Sequence, residues 1–326
     1  MGKILNLKEQ NYKIPTNKLL KWLKLAFLIG IFYLLARQIS GLKIDQALFK
    51  EILKTLSRNI GYFLGAIFLL FPNYFLELWK WQILTTHVET RNKKESLRDI
   101  LKGLAVGLFT PYMLGDFFGR TASFQRKNRT YVAALNLFNS VCQTYSSIFF
   151  GSSAIFLWYL VSENGLKKIL LFPSILMLSV SILGLLFVFK FSFSWEKLRK
   201  IKVLRPYLKK ELTELDLSNM LRFKILSLSI SRTIIFNLQF VLFYYSFGLV
   251  LKPALYFIGI NLILLVKTVG GGLNIFGDLT LREFVSVNFF GLYKVDESLV
   301  LVATFTVWFI NIFIPVLGSL FFQPKS

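Results

Sequence analysis

Two six-residue stretches, Gly115-Asp116-Phe117-Phe118-Gly119-Arg120 and Gly277-Asp278-Leu279-Thr280-Leu281-Arg282, share the pattern G-D-x-x-x-R and begin 162 residues apart. In a helix each Asp and its Arg form an i, i+4 pair on one face. Glu283 follows the second stretch directly, and Arg232 and Lys267 are cations inside otherwise apolar runs. A charge at the centre of a membrane helix costs ~2.5–3.5 kcal/mol on insertion scales, so such a residue faces a partner or water. Arg232 and Lys267 therefore read as cations for an anionic headgroup, or as partners of Asp116 and Asp278. Asn136, Asn139, Gln143 and Ser147 share one helical face, and Asn73 and Glu77 share another. The amides read as glue between helices, and Glu77, close to the end of its run, reads as snorkelling to an interface. Binding and charge compensation are the chemistry on offer. One cysteine, Cys142, and one histidine, His87, exclude an internal disulfide framework and a Cys/His zinc cluster. His87, beside Thr85 and Thr86, reads as an interfacial residue rather than a catalytic one.

Such residues need elements to carry them, and composition says which. Of 326 residues 55% are hydrophobic, 17% aromatic and only 17% charged, with 35 Phe. Soluble domains carry about 25% charge, so this is the composition of a membrane protein. The net charge of +22 does not point to nucleic acid, because Lys and Arg sit in short tracts between apolar runs and not on one polar face.

A span needs about 20 mostly apolar residues. Six runs qualify: Leu20–Ile39, Ile60–Trp79, Val132–Val161, Ile169–Phe189, Ile225–Val250 and Leu299–Phe322. Two more, Leu101–Phe118 and Ala254–Phe290, are interrupted, the first at Thr110-Pro111 and Gly115, the second at Gly270-Gly271-Gly272 and Gly277. Proline removes a backbone donor and glycine weakens a helix. Broken backbone at membrane depth persists only when covered by protein or lining a wet cavity, so both read as re-entrant or discontinuous helices. Residues 80–102 hold six Lys/Arg, residues 119–130 hold four with no acid, and residues 190–224 hold ten against four acids. Making 101–118 a cytoplasmic hairpin puts all three tracts inside, and making 254–290 a hairpin from the outer face brings both termini inside as well. Eight simple spans is the alternative. The amino terminus, with six Lys and one Glu through Lys24 and no small-residue cleavage site, reads as leading into an uncleaved first span.

The fold class is therefore an all-α polytopic membrane protein, with about six transmembrane helices and two broken helices in an inverted repeat. It forms one domain over 1–326: a first half 1–161, a connecting span in 162–194, a basic insert 195–224 and a second half 225–326. The insert, with Trp195, Leu198, Ile201 and Leu208 among basic residues, reads either as a helix on an anionic leaflet or as a solvated connector. Transporters built as inverted repeats place substrate between discontinuous helices near the midplane.

Thr110-Pro111-Tyr112-Met113-Leu114-Gly115-Asp116 resembles the Pro-x-x-x-Gly-(Glu/Asp) segment of the lysylphosphatidylglycerol synthase transmembrane-region family, the flippase-like-domain proteins. Gly277 through Glu283 is similar to that family's Gly-Gly-Leu-Gly-x-Arg-Glu segment, and Asn73 through Trp81 to its Asn…(Lys/Arg)-Trp stretch. Met113 stands where many members have a basic residue, and Asp278 and Thr280 stand where glycines are usual. The usual proline before the second motif is missing, and Gly270–Gly272 occupies its place. The resemblance implies an inner-membrane protein that moves a lipid or a lipid-linked headgroup between leaflets. In synthases of the family an aminoacyl-transferase domain follows; this chain ends at Ser326, after the last span, so that activity is expected to be absent.

The expected substrate path is a hydrated cleft, lined by Asp116, Arg120, Asp278, Arg282 and Glu283 and shaped by Pro111, Gly115, Gly271, Gly272 and Gly277. In it a headgroup crosses while acyl chains stay in hydrocarbon, and Arg232 and Lys267 take the lipid phosphate. The expected partner is a membrane lipid, an anionic phospholipid or a polyprenyl-phosphate lipid. No nucleic acid, metal or cofactor is expected, and association with further copies of the chain stays open. No G-x-x-x-x-G-K-(S/T) motif occurs, so movement runs downhill or on an ion gradient. The alternatives are a membrane-embedded accessory to polyprenyl-phosphate-linked glycosyl or aminoacyl transfer and a non-transporting scaffold. The first is disfavoured by short outer loops and by the lack of any Asp-x-Asp.

Overall fold

The structure is a computed structural model that describes residues 46–86, 88–108, 110, 114–191, 217–270 and 275–319. The expected first span Leu20–Ile39, His87, Pro111, Gly271, Gly272 and the 195–224 insert as far as Asp216 lie outside the described residues. Among those described, secondary structure is helical throughout. In order come α1 (Gln46–Arg58), α2 (Ile60–Phe68), α3 (Leu70–Thr85), α4 (Lys93–Leu108), α5 (Leu114–Thr121) and α6 (Arg129–Val161). Then follow α7 (Asn164–Phe189), α8 (Asn219–Ser246), α9 (Pro253–Gly270), α10 (Ile275–Gly291), α11 (Glu297–Trp308), a π-turn (Phe309–Phe313) and α12 (Ile314–Ser319).

Among the described residues, six segments are long and apolar enough to cross a bilayer: Ile60–Thr85, Arg129–Val161, Asn164–Phe189, Asn219–Ser246, Pro253–Gly270 and Glu297–Ser319. Five of them coincide with expected spans. The sixth, α9, belongs to the segment expected to be broken, and its 18 residues reach about 27 Å at 1.5 Å per residue. α9 ends at Gly270 and α10 begins at Ile275, and the expected break at Gly271 and Gly272 lies outside the described residues. Two details differ from expectation. Gly115 is the second residue of α5 and Gly277 lies within α10, so neither breaks a helix. Each is inside a hydrogen-bonded helix, and in the case of Gly115 the lack of a side chain serves packing instead.

That packing is between α4 and α5. Gly103 and Gly107 on α4 face Gly115 and Gly119 on α5. A Cβ on Gly119 would lie 2.6 Å from the Lys102 carbonyl oxygen and 2.7 Å from Gly103 Cα, and one on Gly115 would strike the Val106 carbonyl. Both pairs are four apart, the spacing that lets membrane helices approach backbone to backbone. Contacts run Gly103 to Gly119, Val106 to Gly115 and Gly107 to Asp116, so the helices are antiparallel. At the turn the Gly115 amide donates to Thr110 Oγ1 (2.7 Å). With eight residues α5 is only ~12 Å long, less than half the ~30 Å hydrocarbon thickness. In the second half α9 and α10 are likewise antiparallel: a Cβ on Gly259 would meet the Phe289 ring at 2.8 Å, and one on Gly270 would meet the Leu281 side chain.

Around these pairs, α8 is central, packing on α2, α3, α6 and α11. Buried Phe240, Phe243, Tyr244, Ile260, Phe290 and Val307 form the largest apolar core, and Phe138, Phe191 and Ile225 a second. α7 turns Phe172, Ile175, Ile182 and Leu183 outward, as a lipid-facing helix does. Near the end of the chain Pro315 offers no N–H to the Asn311 carbonyl. That acceptor takes the Tyr74 hydroxyl instead (3.1 Å), tying the π-turn to α3.

Gly119→Leu is expected to force α4 and α5 apart at a cost of about 1–3 kcal/mol, the range for overpacking. A lowered unfolding midpoint in detergent, followed by circular dichroism, checks this; an unchanged midpoint would refute the close packing.

Candidate functional site

Four helices converge on one carboxylate. α3 carries Asn73, Glu77 and Lys80 at i, i+4 and i+7, a spacing that aligns them on one face. That face meets α5, α6 and α8, and all three residues are buried. Glu77 Oε1 accepts from Arg120 Nη1 (2.7 Å) and Asn139 Nδ2 (3.1 Å). Its Oε2 accepts from Arg232 Nη1 (2.8 Å) and Lys80 Nζ (2.9 Å). Arg120 turns its Nε to Asp116 Oδ1 (2.8 Å) while Asn136 Nδ2 donates to Asp116 Oδ2 (2.9 Å). Lys80 also reaches Gln143 Oε1 (3.2 Å) and Ser229 Oγ (3.3 Å). Gln143 donates onward to Thr233 Oγ1 (3.0 Å), and so does Ser146 Oγ (2.8 Å). Trp81, fully buried, faces the Arg120 guanidinium at 5.4 Å.

Two carboxylates, Glu77 and Asp116, thus face three cations, Lys80, Arg120 and Arg232, leaving one positive charge in excess. The pairs are short and almost wholly covered, with one exception. The Arg232 side chain is 27% exposed, against 0% for Lys80 and 10% for Arg120. Its Nε donates to Asn73 Oδ1 (2.7 Å) and its Nη1 to Glu77; no protein acceptor meets its Nη2 among the described residues. Nη1 also lies 3.5 Å from Gln143 Oε1, so Asn73, Glu77 and Gln143 fix the guanidinium and leave Nη2 to receive a phosphate or carboxylate oxygen. Glu77, with four donors on two oxygens, has no free lone pair with which to act as a base.

Of the residues singled out in the sequence, Asp116, Arg120 and Arg232 come together here. The expected pairing of Arg232 with Asp116 is not formed: Arg120 already spans Asp116 and Glu77, so Arg232 takes the far oxygen of Glu77. Glu77 is not the snorkelling residue expected of it but the centre of the cluster, 2% exposed. Asn136, Asn139 and Gln143 do join helices, and they do so by hydrogen bonding to the charged groups. Lys80 entered the sequence reading only as the Lys of the Asn…(Lys/Arg)-Trp stretch, with no role in a charge cluster, and Ser229 and Thr233 did not enter it. The i, i+4, i+7 pattern of Asn73, Glu77 and Lys80 was the available signal for Lys80; nothing local marked the hydroxyls. Lys267 sits in the last turn of α9 and is partly buried. Arg282 and Glu283 are buried on α10, near whose start the backbones of Gly277 and Asp278 lie. α10 packs on α9 and α11 whereas α5 packs on α4 and α6.

The family model described as the lysylphosphatidylglycerol synthase TM region matches residues 21–319. The chain belongs to that family. No curated protein and no solved structure matched. The match covers the Glu77 cluster and both G-D-x-x-x-R motifs, so the cluster lies in the part of the chain that makes it a member of the lysylphosphatidylglycerol synthase transmembrane-region family. Membership and the six apolar helices together make it a multi-pass membrane protein of the lipid-modification or flippase-like type.

Glu77→Gln is expected to leave buried Lys80 and Arg120 and the part-exposed Arg232 with Asp116 as the one carboxylate, a loss of about 3–5 kcal/mol, as for a broken buried ion pair. Arg232→Gln, removing the part-exposed cation and with it the excess charge, is expected to cost less. Denaturant unfolding in micelles of both variants and the double variant measures the coupling between them.

Proposed function

We propose that this chain is a lipid flippase-like transporter, not an enzyme, that carries a lipid with an anionic headgroup between the leaflets of the inner membrane. An anionic phospholipid and a polyprenyl-phosphate lipid both supply that headgroup. The observation that carries the reading is the open edge of Arg232 in a buried cluster with one positive charge in excess. An anion placed there would neutralise the excess and complete the guanidinium. Asp116 and Arg120 hold Glu77 in place, and Glu77 in turn orients Arg232. The shortness of α5, packed antiparallel on α4 by glycines, supports its entering the bilayer part-way and returning. The second half is read as its inverted counterpart, with α9 and α10 paired antiparallel. The headgroup would pass along the polar residues of α3, α6 and α8 while its acyl chains remain in lipid, which avoids burying an unpaired charge.

Reconstituted into liposomes with labelled phospholipids and labelled polyprenyl-phosphate sugars, the protein is expected to speed leaflet exchange of one class over protein-free vesicles. Arg232→Gln should slow it about tenfold, the equivalent of one charge-assisted hydrogen bond of roughly 1.5 kcal/mol. Asp116→Asn, which loosens Arg120, should slow it too. No acceleration of either lipid class by the intact chain would remove the proposal.

The proposed topology places Gln125 on the cytoplasmic side and Asn288 on the opposite one, with both termini cytoplasmic. Both residues are exposed and the native Cys142 is buried, so single cysteines introduced at each position report cleanly. An impermeant maleimide added to right-side-out vesicles is expected to label Asn288→Cys and spare Gln125→Cys.

A further inference from the structure

Two buried glutamates in this membrane domain are treated in opposite ways. Glu77 accepts four donors. Glu283 is 4% exposed and, among the described residues, neither carboxyl oxygen has a hydrogen-bond partner. It cannot reach a headgroup region by snorkelling, because Thr280, Leu281, Arg282 and Glu283 are all buried, and four successive residues at about 100° each cover the whole circumference of a helix. Two neighbouring hydroxyls are committed elsewhere. Ser286 Oγ donates to the main-chain oxygen of Glu283 (2.9 Å), and Tyr244 of α8 shares its hydroxyl with Thr304 of α11 (2.7 Å). Arg282 and Tyr244 act on Glu283 electrostatically. On α9 and α11, which pack along α10, the titratable groups are Lys267, Tyr256 and Glu297, and α10 itself carries Asp278. A bare carboxylate so enclosed costs several kcal/mol, and it escapes that cost by taking a proton.

We propose that Glu283 is a proton-binding site through which a proton gradient drives the lipid movement; the coupling, though not the proton binding, rests on the transport reading above. In the packed arrangement the side chain is the neutral acid. When α10 shifts against α9 and water or a cation reaches the carboxyl, it ionises and the proton leaves to that side. Re-enclosure requires a proton again, COO⁻ + H⁺ giving COOH, so each cycle carries one proton with no other reactant. Glu77 cannot serve in this way, because its donors already hold it as an anion.

Infrared difference spectroscopy of the full chain in liposomes, wild type minus Glu283→Gln, decides the proton binding without any transport measurement. A carboxylic-acid carbonyl band that shifts in D₂O is expected at neutral pH, where ordinary carboxylates with pKa about 4 are ionised. Glu283→Gln, which mimics the neutral acid, should unfold at the wild-type temperature. Absence of the band, or a marked loss of stability in the Gln variant, overturns the proposal. For the coupling, leaflet exchange is compared with and without an imposed pH difference. Wild type should be accelerated by one polarity of the gradient, and in Glu283→Gln the ratio of the two rates should fall to unity. A wild-type rate indifferent to the gradient overturns the coupling even if the band is present. Absence of exchange under every condition removes the transport reading and the coupling with it, leaving the infrared result to judge the site.

Discussion

The interior of this protein is organised around the Glu77 carboxylate. In a medium without water, three cations and their attached helices can come together only if something negative stands between them, and Glu77 stands there with both oxygens saturated. Lys80 is its neighbour along α3, but Arg120 arrives from α5 and Arg232 from α8, 43 and 155 residues away in sequence. Apolar packing is weakly directional, and in lipid it offers little preference for protein over bilayer. The charge cluster, by contrast, specifies which faces of α3, α5, α6 and α8 must meet. Hydrogen bonds from Asn139 and Asn136 lock the amide face of α6 onto the same carboxylates.

Small residues make that arrangement reachable. Arg120 can touch both Asp116 and Glu77 only because α5 lies close along α4, and Gly103, Gly107, Gly115 and Gly119 permit that approach. The glycines of the second half work likewise, with Gly259 under the Phe289 and Phe290 rings. Backbone proximity and charge placement are therefore one design: the first brings a short helix in, and the second uses the polar groups it carries. The cluster stops one charge short of neutrality, and the uncompensated edge belongs to the one cation with access to its surroundings.

Much of this was legible in the residues. Run lengths located five of the six apolar helices that the structure describes. Periodicity put Asn136, Asn139 and Gln143 on one face, the face that meets the cluster. What misled was position within a run: Glu77, near the end of its apolar stretch, looked able to reach water, yet α5 and α8 cover it. Gly115 and Gly277 looked like helix breakers because propensity says nothing of the neighbour that a missing Cβ admits.

Composition, spacing and charge distribution alone determined the class of protein, the approximate number and limits of its helices, and the side of each helix that is polar, because these depend on local periodicity and on transfer from water to lipid. Tertiary structure alone decided which polar faces meet, that Glu77 is shared by three cations while Glu283 meets no hydrogen-bond donor among the described residues, and that Arg232 Nη2 meets no acceptor among them. Those outcomes depend on contacts between residues far apart in the chain, and the same amino acid becomes an anchored anion or an enclosed acid according to what the other helices bring to it.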